Sequence, residues 1–343
     1  MQAFKYFFLL VLKFVTTVGE AVPTIKSFED SSRIIPCKNY FNLSLSITKP
    51  IFSATLVNRD DNLSLKYRTV NPFRIGFAFD YRWFGVEVST QIPTLKAQDT
   101  RKGKTDGASF RFSINSRKFW ITASYQNYKG FYLDNNQIFY NPLNSENPLP
   151  KRPDIQNSVF QFGAFFLFNH HRFSNPAAVG QYERQVRSGG SPFIGFGILR
   201  HDLRCSHSLV PNEFQMDFPN LSNTKFISST NVFASVGYAY TFVWHKKYFI
   251  AIYGAPGIGR YQVEEDRGKY GQLKGKGDIG FRLEARSVIG YNGELWYWGG
   301  GFFGYWNNEK LLSGNYLNHT YQTLRFFLGR RFSTKKSLGF LGL

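Results

Sequence analysis

The sequence predicts an all-β chain, an antiparallel up-and-down transmembrane β-barrel of about 12 strands, with 14 as the alternative. Three observations carry this. Large apolar residues recur at every second position over most of the chain, the period of a strand with two unlike faces. Aromatic residues make up 18% of the 343 residues, with 37 Phe and 20 Tyr, yet the mean hydropathy is −0.30. Beyond the N-terminus no apolar run reaches the ~20 residues of a membrane helix. The connections are short and long by turns, which is how an up-and-down barrel alternates tight turns at one end with loops at the other.

The first alternating row is Phe41, Leu43, Leu45 and Ile47, and it places a strand over 40–56. The stretch FRIGFAFDYRW (73–83) sets Phe73, Ile75, Phe77, Phe79 and Tyr81 against Arg74, Gly76, Ala78, Asp80 and Arg82, and places strands over 72–81 and 83–92 around a single-residue turn. Phe110, Phe112 and Ile114, then Phe119, Ile121, Ala123 and Tyr125, mark 108–115 and 118–130, joined by Asn115-Ser116-Arg117. Phe160 to Phe168 marks 158–168, and Ile194, Phe196 and Ile198 mark 191–203. The pair 230–244 and 247–263 meets at His245-Lys246, and the pair 277–290 and 294–306 meets at Tyr291-Asn292-Gly293, where Asn-Gly is a hairpin signal. Leu324, Phe326 and Leu328 place the last strand over 320–332. Long polar connections fill 57–71, 93–107, 131–157, 204–229, 264–276 and 307–319. Segment 169–190 breaks this rhythm: it falls where a tight turn belongs. It reads as a periplasmic excursion, a lumen-filling segment, or an added strand around 172–183.

The apolar rows decide which face is dry. A lumen of twelve strands is too wide for these side chains to fill, since eight strands already suffice for a packed interior. Turned outward, they form a lipid-facing belt, and Gly, Ser, Arg and Glu line the lumen. Tyr81, Trp83, Trp244, Tyr248 and Trp306 lie near strand ends, where aromatic girdles meet the membrane interface.

The remaining organisation follows. Lys5, the apolar stretch Phe7 to Val18 and Gly19-Glu20-Ala21 read as a signal peptide over 1–21. A periplasmic N-terminal segment is expected over 22–39, the barrel over 40–333 and a tail over 334–343. The expected location is the outer membrane of a Gram-negative bacterium. Cys37 and Cys205 are the only cysteines, too few for a disulfide scaffold, and read as unrelated thiols. The net charge of +19 comes from scattered residues. Exported scattered charge argues against nucleic acid and for anionic lipid, with outer-membrane lipid, lipopolysaccharide and the outer-membrane assembly machinery as expected partners.

Several stretches resemble an uncharacterised family of outer-membrane-like proteins from Bacteroidota, the domain-of-unknown-function family numbered 4421. They are LSLKYRTVNPFRIGFAFDYRWFGVEVS, YKGFY (128–132), RPDI (152–155), FNHHRFSNPAAVGQYERQVRSGGSPFIGFG, YAYTFVWHKKYFIAI and GYNGE (290–294). The resemblance spreads over most of the chain. It implies an exported barrel with no established activity.

Two groups of residues are candidates for a site. Arg74, Asp80, Arg82, Glu87, Arg111, Arg282, Glu284, Arg286 and Arg325 share the inward parity and form a lumen charge cluster. Mixed signs suggest an interior closed by ion pairs, and an arginine surplus would favour anions in a pore. The second group is HHRFSN (170–175), which resembles the His-x-Ser-Asn arrangement of outer-membrane lipid hydrolases such as lipid A deacylases and phospholipases. There both side chains share a strand face and His can activate Ser. Here His171 and Ser174 stand three apart, opposite faces in a regular strand, and a polar turn is the expected role. GAPGIG (254–259) lacks the Lys-Ser/Thr and helix of a phosphate loop. No metal motif and no cofactor are expected. The reading is a structural barrel or small-solute pore, with a lipid hydrolase and a surface-binding or assembly component as alternatives.

Overall fold

The computed structural model describes residues 33–37, 39–59, 62–70, 73–91, 101–134, 149–268 and 271–334. The expected signal peptide and nearly all of the expected tail lie outside the described residues.

Twelve long strands form the wall: β2 (Tyr40–Asn58), β4 (Arg74–Tyr81), β5 (Phe84–Gln91), β6 (Asp106–Asn115), β7 (Phe119–Leu133), β8 (Lys151–Leu167), β10 (Gly189–Arg204), β11 (Phe226–Trp244), β12 (Tyr248–Asp266), β13 (Gln272–Asn292), β14 (Trp296–Lys310) and β15 (Tyr316–Ser333). Each pairs antiparallel with the next, and β15 returns to β2 along Tyr316↔Val57 to Ser333↔Tyr40, so the sheet closes on itself with no free edge. Closure gives every wall strand a hydrogen-bonded neighbour on both sides, which a spanning sheet in lipid requires.

All twelve expected strands are present, and most run further than the sequence pattern suggests at the end carrying the long connections, here the upper end. β13 has 21 residues and β11 and β12 have 19, against the ~9–11 that cross a bilayer. The excess is polar: Glu264, Asp266, Lys274 and Lys276 lie there, so alternation of apolar residues ends where the ladder continues in water. At the lower end the turns are tight. His245 and Lys246 both take positive φ, 49° and 59°, the mirror-image turn whose twist matches a hairpin.

Three short strands were not legible. β3 (Leu63–Arg68) lies inside the loop expected over 57–71 and pairs with the upper half of β2. It then meets β7 at Tyr67↔Leu133 and Arg68↔Tyr132. β4, β5 and β6 stop short there, and β3 alone replaces them in the wall, so the upper rim closes with fewer strands than the belt. β7 leaves β6 for β3 at a bulge between Lys129 and Phe131. Gly130 sits in it at φ +92°, and a Cβ there would lie 2.2 Å from the Lys104 carbonyl; only glycine fits such a kink. β1 (Ile34–Pro36) and β9 (Glu183–Gln185) pair with each other in a separate two-stranded sheet.

The belt faces outward. Phe326, Val236 and Ile258 are 65%, 62% and 61% exposed, while the inward Ser46, Asn231 and Arg282 are buried. In water this would strand a large apolar surface; against lipid it is the expected outer wall. Inside are two apolar clusters. The lower one joins Trp120, Phe165, Phe193 and Tyr253 to Phe173 and Ala178 of segment 169–190, with Trp120 stacked on Phe165 at 4.7 Å. The upper one joins Phe52, Leu56, Leu65 and Tyr128 to Leu209, Val210, Phe214, Phe218 and Leu221 of the loop after β10.

Candidate functional site: a lumen closed by a floor, an ion-pair layer and a lid

Segment 169–190 is the floor. It is neither a long excursion nor a wall strand. It folds into the lower lumen as a one-turn π-helix (Pro176–Gly180) followed by β9, which corrects the added strand around 172–183 and with it the 14-strand alternative. Backbone groups turned inward need partners, and the wall supplies them. Arg331 on β15 donates to Gln181 O (3.1 Å) and to the Asn292 side chain (2.5 Å). Asn292 donates to Glu183 O (3.0 Å), Arg184 to Asn292 O (3.2 Å), and Tyr253 to Asn175 Oδ1 (3.1 Å). Arg117 pairs with Glu183 at 3.0 Å.

Ser174 belongs to this framework. Its hydroxyl donates to Glu183 Oε2 (2.6 Å) and accepts from the Ala177 amide (3.0 Å), while its own amide donates to Gln185 (3.0 Å). It is fully buried. His171 is exposed on the outer side of the turn, its ring 3.9 Å from that of His170. Among the described residues neither histidine hydrogen-bonds Ser174. A serine whose hydroxyl is held by a carboxylate within the turn, with no imidazole aimed at it, lacks the His–Ser arrangement of the lipid hydrolases and acts as a turn-former.

The charge layer lies above the floor. Glu87 on β5 takes Arg325 of β15 and Arg111 of β6, each at 3.2 Å, and accepts from Ser46 at 3.3 Å. Glu284 on β13 takes Arg282 at 3.2 Å and is clasped by Arg286, whose Nε donates at 2.8 Å. Strand parity explains the second trio: 282, 284 and 286 project into the lumen at successive inward positions. Arg282 also donates to Asn307 (3.1 Å) and lies over the rings of Phe233 and Tyr305. Between floor and charge layer is a cavity of about 120 Å³, its wall including Asp80, Glu87, Arg111, Glu284, Arg286 and Arg325. Arg74 is buried over the Tyr128 ring at 4.7 Å and lines a second, smaller cavity with Glu87, Arg111 and Arg325. Arg82 corrects the expected cluster: it occupies the β4–β5 turn at φ 51° and is exposed, so the strand parity that would aim it inward does not reach it.

The expected interface aromatics divide. Trp244 and Tyr248 are exposed and stacked at 5.8 Å beside their turn. Trp83 and Trp306 are half-buried. Tyr81 is only 1% exposed and carries the Arg82 guanidinium 5.2 Å from its ring, so it does not meet lipid.

The lid is the loop 205–225. Arg152 holds it, donating to Ser208 O (2.8 Å) and Leu209 O (3.3 Å) while paired with Asp154 at 2.9 Å. Asn58 donates to Asp217 O (2.6 Å), and Tyr67 OH to Leu209 O. The RPDI stretch (152–155) is thus a lid clamp, and the YKGFY stretch contains the Gly130 bulge. Cys37 near the floor and Cys205 in the lid are both free. Metal-ligating side chains converge in one place among the described residues, where His201, Glu309 and His319 meet. Sequence spacing gave no sign of them.

Solved outer-membrane proteins are only loosely similar to this chain. The outer membrane protease OmpT of Escherichia coli is 9% identical, with a TM-score of 0.38 over 86% of this chain and 97% of that one. The translocator domain of the autotransporter NalP from Neisseria meningitidis is 10% identical, with a TM-score of 0.37 over 94% and 97%. The β domain of the Bordetella autotransporter BrkA is 9% identical, with a TM-score of 0.36 over 85% and 99%. Likenesses of this size carry no activity over. No curated protein sequence matches the chain. Residues 29–343 match the model of the family described as Domain of unknown function (DUF4421), and the chain belongs to that family.

Proposed function

We propose that the protein is an outer-membrane barrel of structural role, sealed rather than a diffusion pore. The observation that carries this is the floor: a segment inside the lower lumen, bonded to three different wall strands through Arg331, Asn292 and Tyr253. A pore keeps its lumen wet and its charged rings facing water; here Glu87 and Glu284 are each already held by two arginines. The closed wall and its apolar belt support a place in a bilayer, and the apolar stretch Phe7 to Val18 supports export by a signal peptide to the outer membrane of a Gram-negative cell. Lipid and lipopolysaccharide would then contact the belt, and the outer-membrane assembly machinery would insert it.

The lipid-hydrolase reading loses its basis with the separation of His171 from Ser174. A surface-binding or assembly role would use the lid and the upper rim, not the lumen. The test is single-channel recording of the full mature chain in planar bilayers, beside fractionation of cells. The sealed barrel gives membrane-fraction protein and no conductance steps. Long-lived open steps from the unaltered chain would replace it with the pore reading.

A further inference from the structure

His201 on β10, Glu309 on β14 and His319 on β15 meet in the upper lumen, beneath the lid. The ladder explains two of them: His319 lies opposite Asn307, so Glu309 is its diagonal neighbour on the same face. His201 arrives from across the lumen and stacks on His319, ring centroids 4.5 Å apart at 19°. All three are at most 1% exposed. Glu309 Oε1 and His319 Nδ1 are 3.3 Å apart, outside hydrogen-bonding geometry. Neither nitrogen of either histidine, nor Glu309 Oε1, has a hydrogen-bond partner within the protein. Five buried polar atoms are left with no protein group to satisfy them, and one from each residue converges on a common point, which is not how core histidines are normally accommodated.

The other carboxylate oxygen is accounted for. Ser229 on β11, the ladder partner of His201, donates its hydroxyl to Glu309 Oε2. Such a contact orients a carboxylate and leaves its second oxygen for something else. The three donor atoms all lie within 4.8 Å of one another. Donors to zinc stand about 2.0–2.2 Å from the ion, so rotations of about an ångström would gather them. Two imidazoles and one carboxylate are a donor set that suits a first-row divalent ion, and three protein ligands leave one position for water.

We infer that His201, Glu309 and His319 form a binding site for a divalent transition-metal ion of the zinc type. The bound ion ties β10 to β14 and β15 across the upper lumen. It cross-braces the wall directly beneath the lid.

The test uses the untagged full-length mature chain in detergent micelles, stripped with a chelator and titrated with zinc against a chromophoric competitor. One zinc per chain is expected. His201→Ala, His319→Ala and Glu309→Gln each weaken it about 100-fold or more, and Ser229→Ala about 10-fold. The neighbouring pair in the floor segment, half-buried His170 and exposed His171, is the control: a His170→Ala/His171→Ala variant binds as the unaltered chain does. Cobalt supplies a measurement that needs no variant, since a four-coordinate site gives strong visible absorption and loosely held surface cobalt does not. Failure of the unaltered chain to retain one metal overturns the inference. So does a pale cobalt spectrum, or binding that survives His201→Ala and His319→Ala but vanishes in the His170/His171 variant.

Discussion

The Glu87 carboxylate binds Arg325 across two intervening strands, at 3.2 Å, and holds Arg111 with its other oxygen at the same distance. β4 and β2 separate β5 from β15 in the ring, so this contact braces the inside of the wall where β4 to β6 are short. Glu87→Gln leaves the buried Arg325 and the half-buried Arg111 without their countercharge. A loss of about 3 kcal/mol is expected, read as an earlier urea midpoint of the folded barrel in micelles. The double variant with Arg325→Met loses less than the two single losses added, because the partners act as a unit. Strict additivity would mean that the pair is not coupled.

The belt predicts a depth-dependent penalty. Val236→Arg places a charge near the middle of the β11 outer row and costs roughly 2–4 kcal/mol of folding stability in lipid vesicles. Met216→Arg, at a lid residue 94% exposed, changes stability by less than about 0.5 kcal/mol. Equal effects at the two sites would contradict a lipid-facing Val236.

Arg331 is the main clamp on the floor, bonding Gln181, Asn292 and the turn at Gly293 and Glu294 from a buried position. Arg331→Met removes these charged hydrogen bonds and costs about 2 kcal/mol or more. The floor then opens ahead of the wall, so limited proteolysis cuts within 173–187 while the barrel still resists. Cleavage first in the upper loops alone, as in the unaltered chain, would show that the floor holds without Arg331.

The two cysteines sit at opposite ends and remain thiols, so non-reducing gels show no internal crosslink. Burial is the main cause that pushes the Cys205 thiol up, to about 11, with Arg152 pulling the other way. At pH 8 its reactive thiolate is therefore roughly one part in a thousand. Because the pKa lies above the working range, alkylation of Cys205 in a Cys37→Ser chain rises about tenfold for each pH unit between 8 and 10. Rapid, pH-independent labelling at pH 7 would mean that the Cys205 thiol is not buried.

The wall was legible because each strand repeats a two-residue rule many times; the rows around Phe77, Val236 and Phe326 each state it independently. The inward placement of Glu87, Glu284 and Arg325 followed from the same parity. What escaped lacks that repetition. β3 is six residues long and is fixed by the ends of β2 and β7. The floor at Ser174 is set by contacts with Glu183 and Gln185, not by any period. Tyr81 and Arg82 sit where the strand turns and parity fails. His201, Glu309 and His319 are brought together by barrel closure alone, since His201 is far from the other two in the chain. Their one local signal is that each occupies an inward position in a strand extended beyond the apolar belt.

The most direct test asks which face meets lipid. In a chain carrying a single tryptophan, quenching by brominated lipid is measured for Phe77→Trp, Val236→Trp and Phe326→Trp, and for the native Trp120, which faces the lumen and is buried against Phe165. Strong quenching at the three introduced positions and little at Trp120 is the predicted result. Quenching of Trp120 with none at 77, 236 and 326 would turn the barrel inside out and contradict the account.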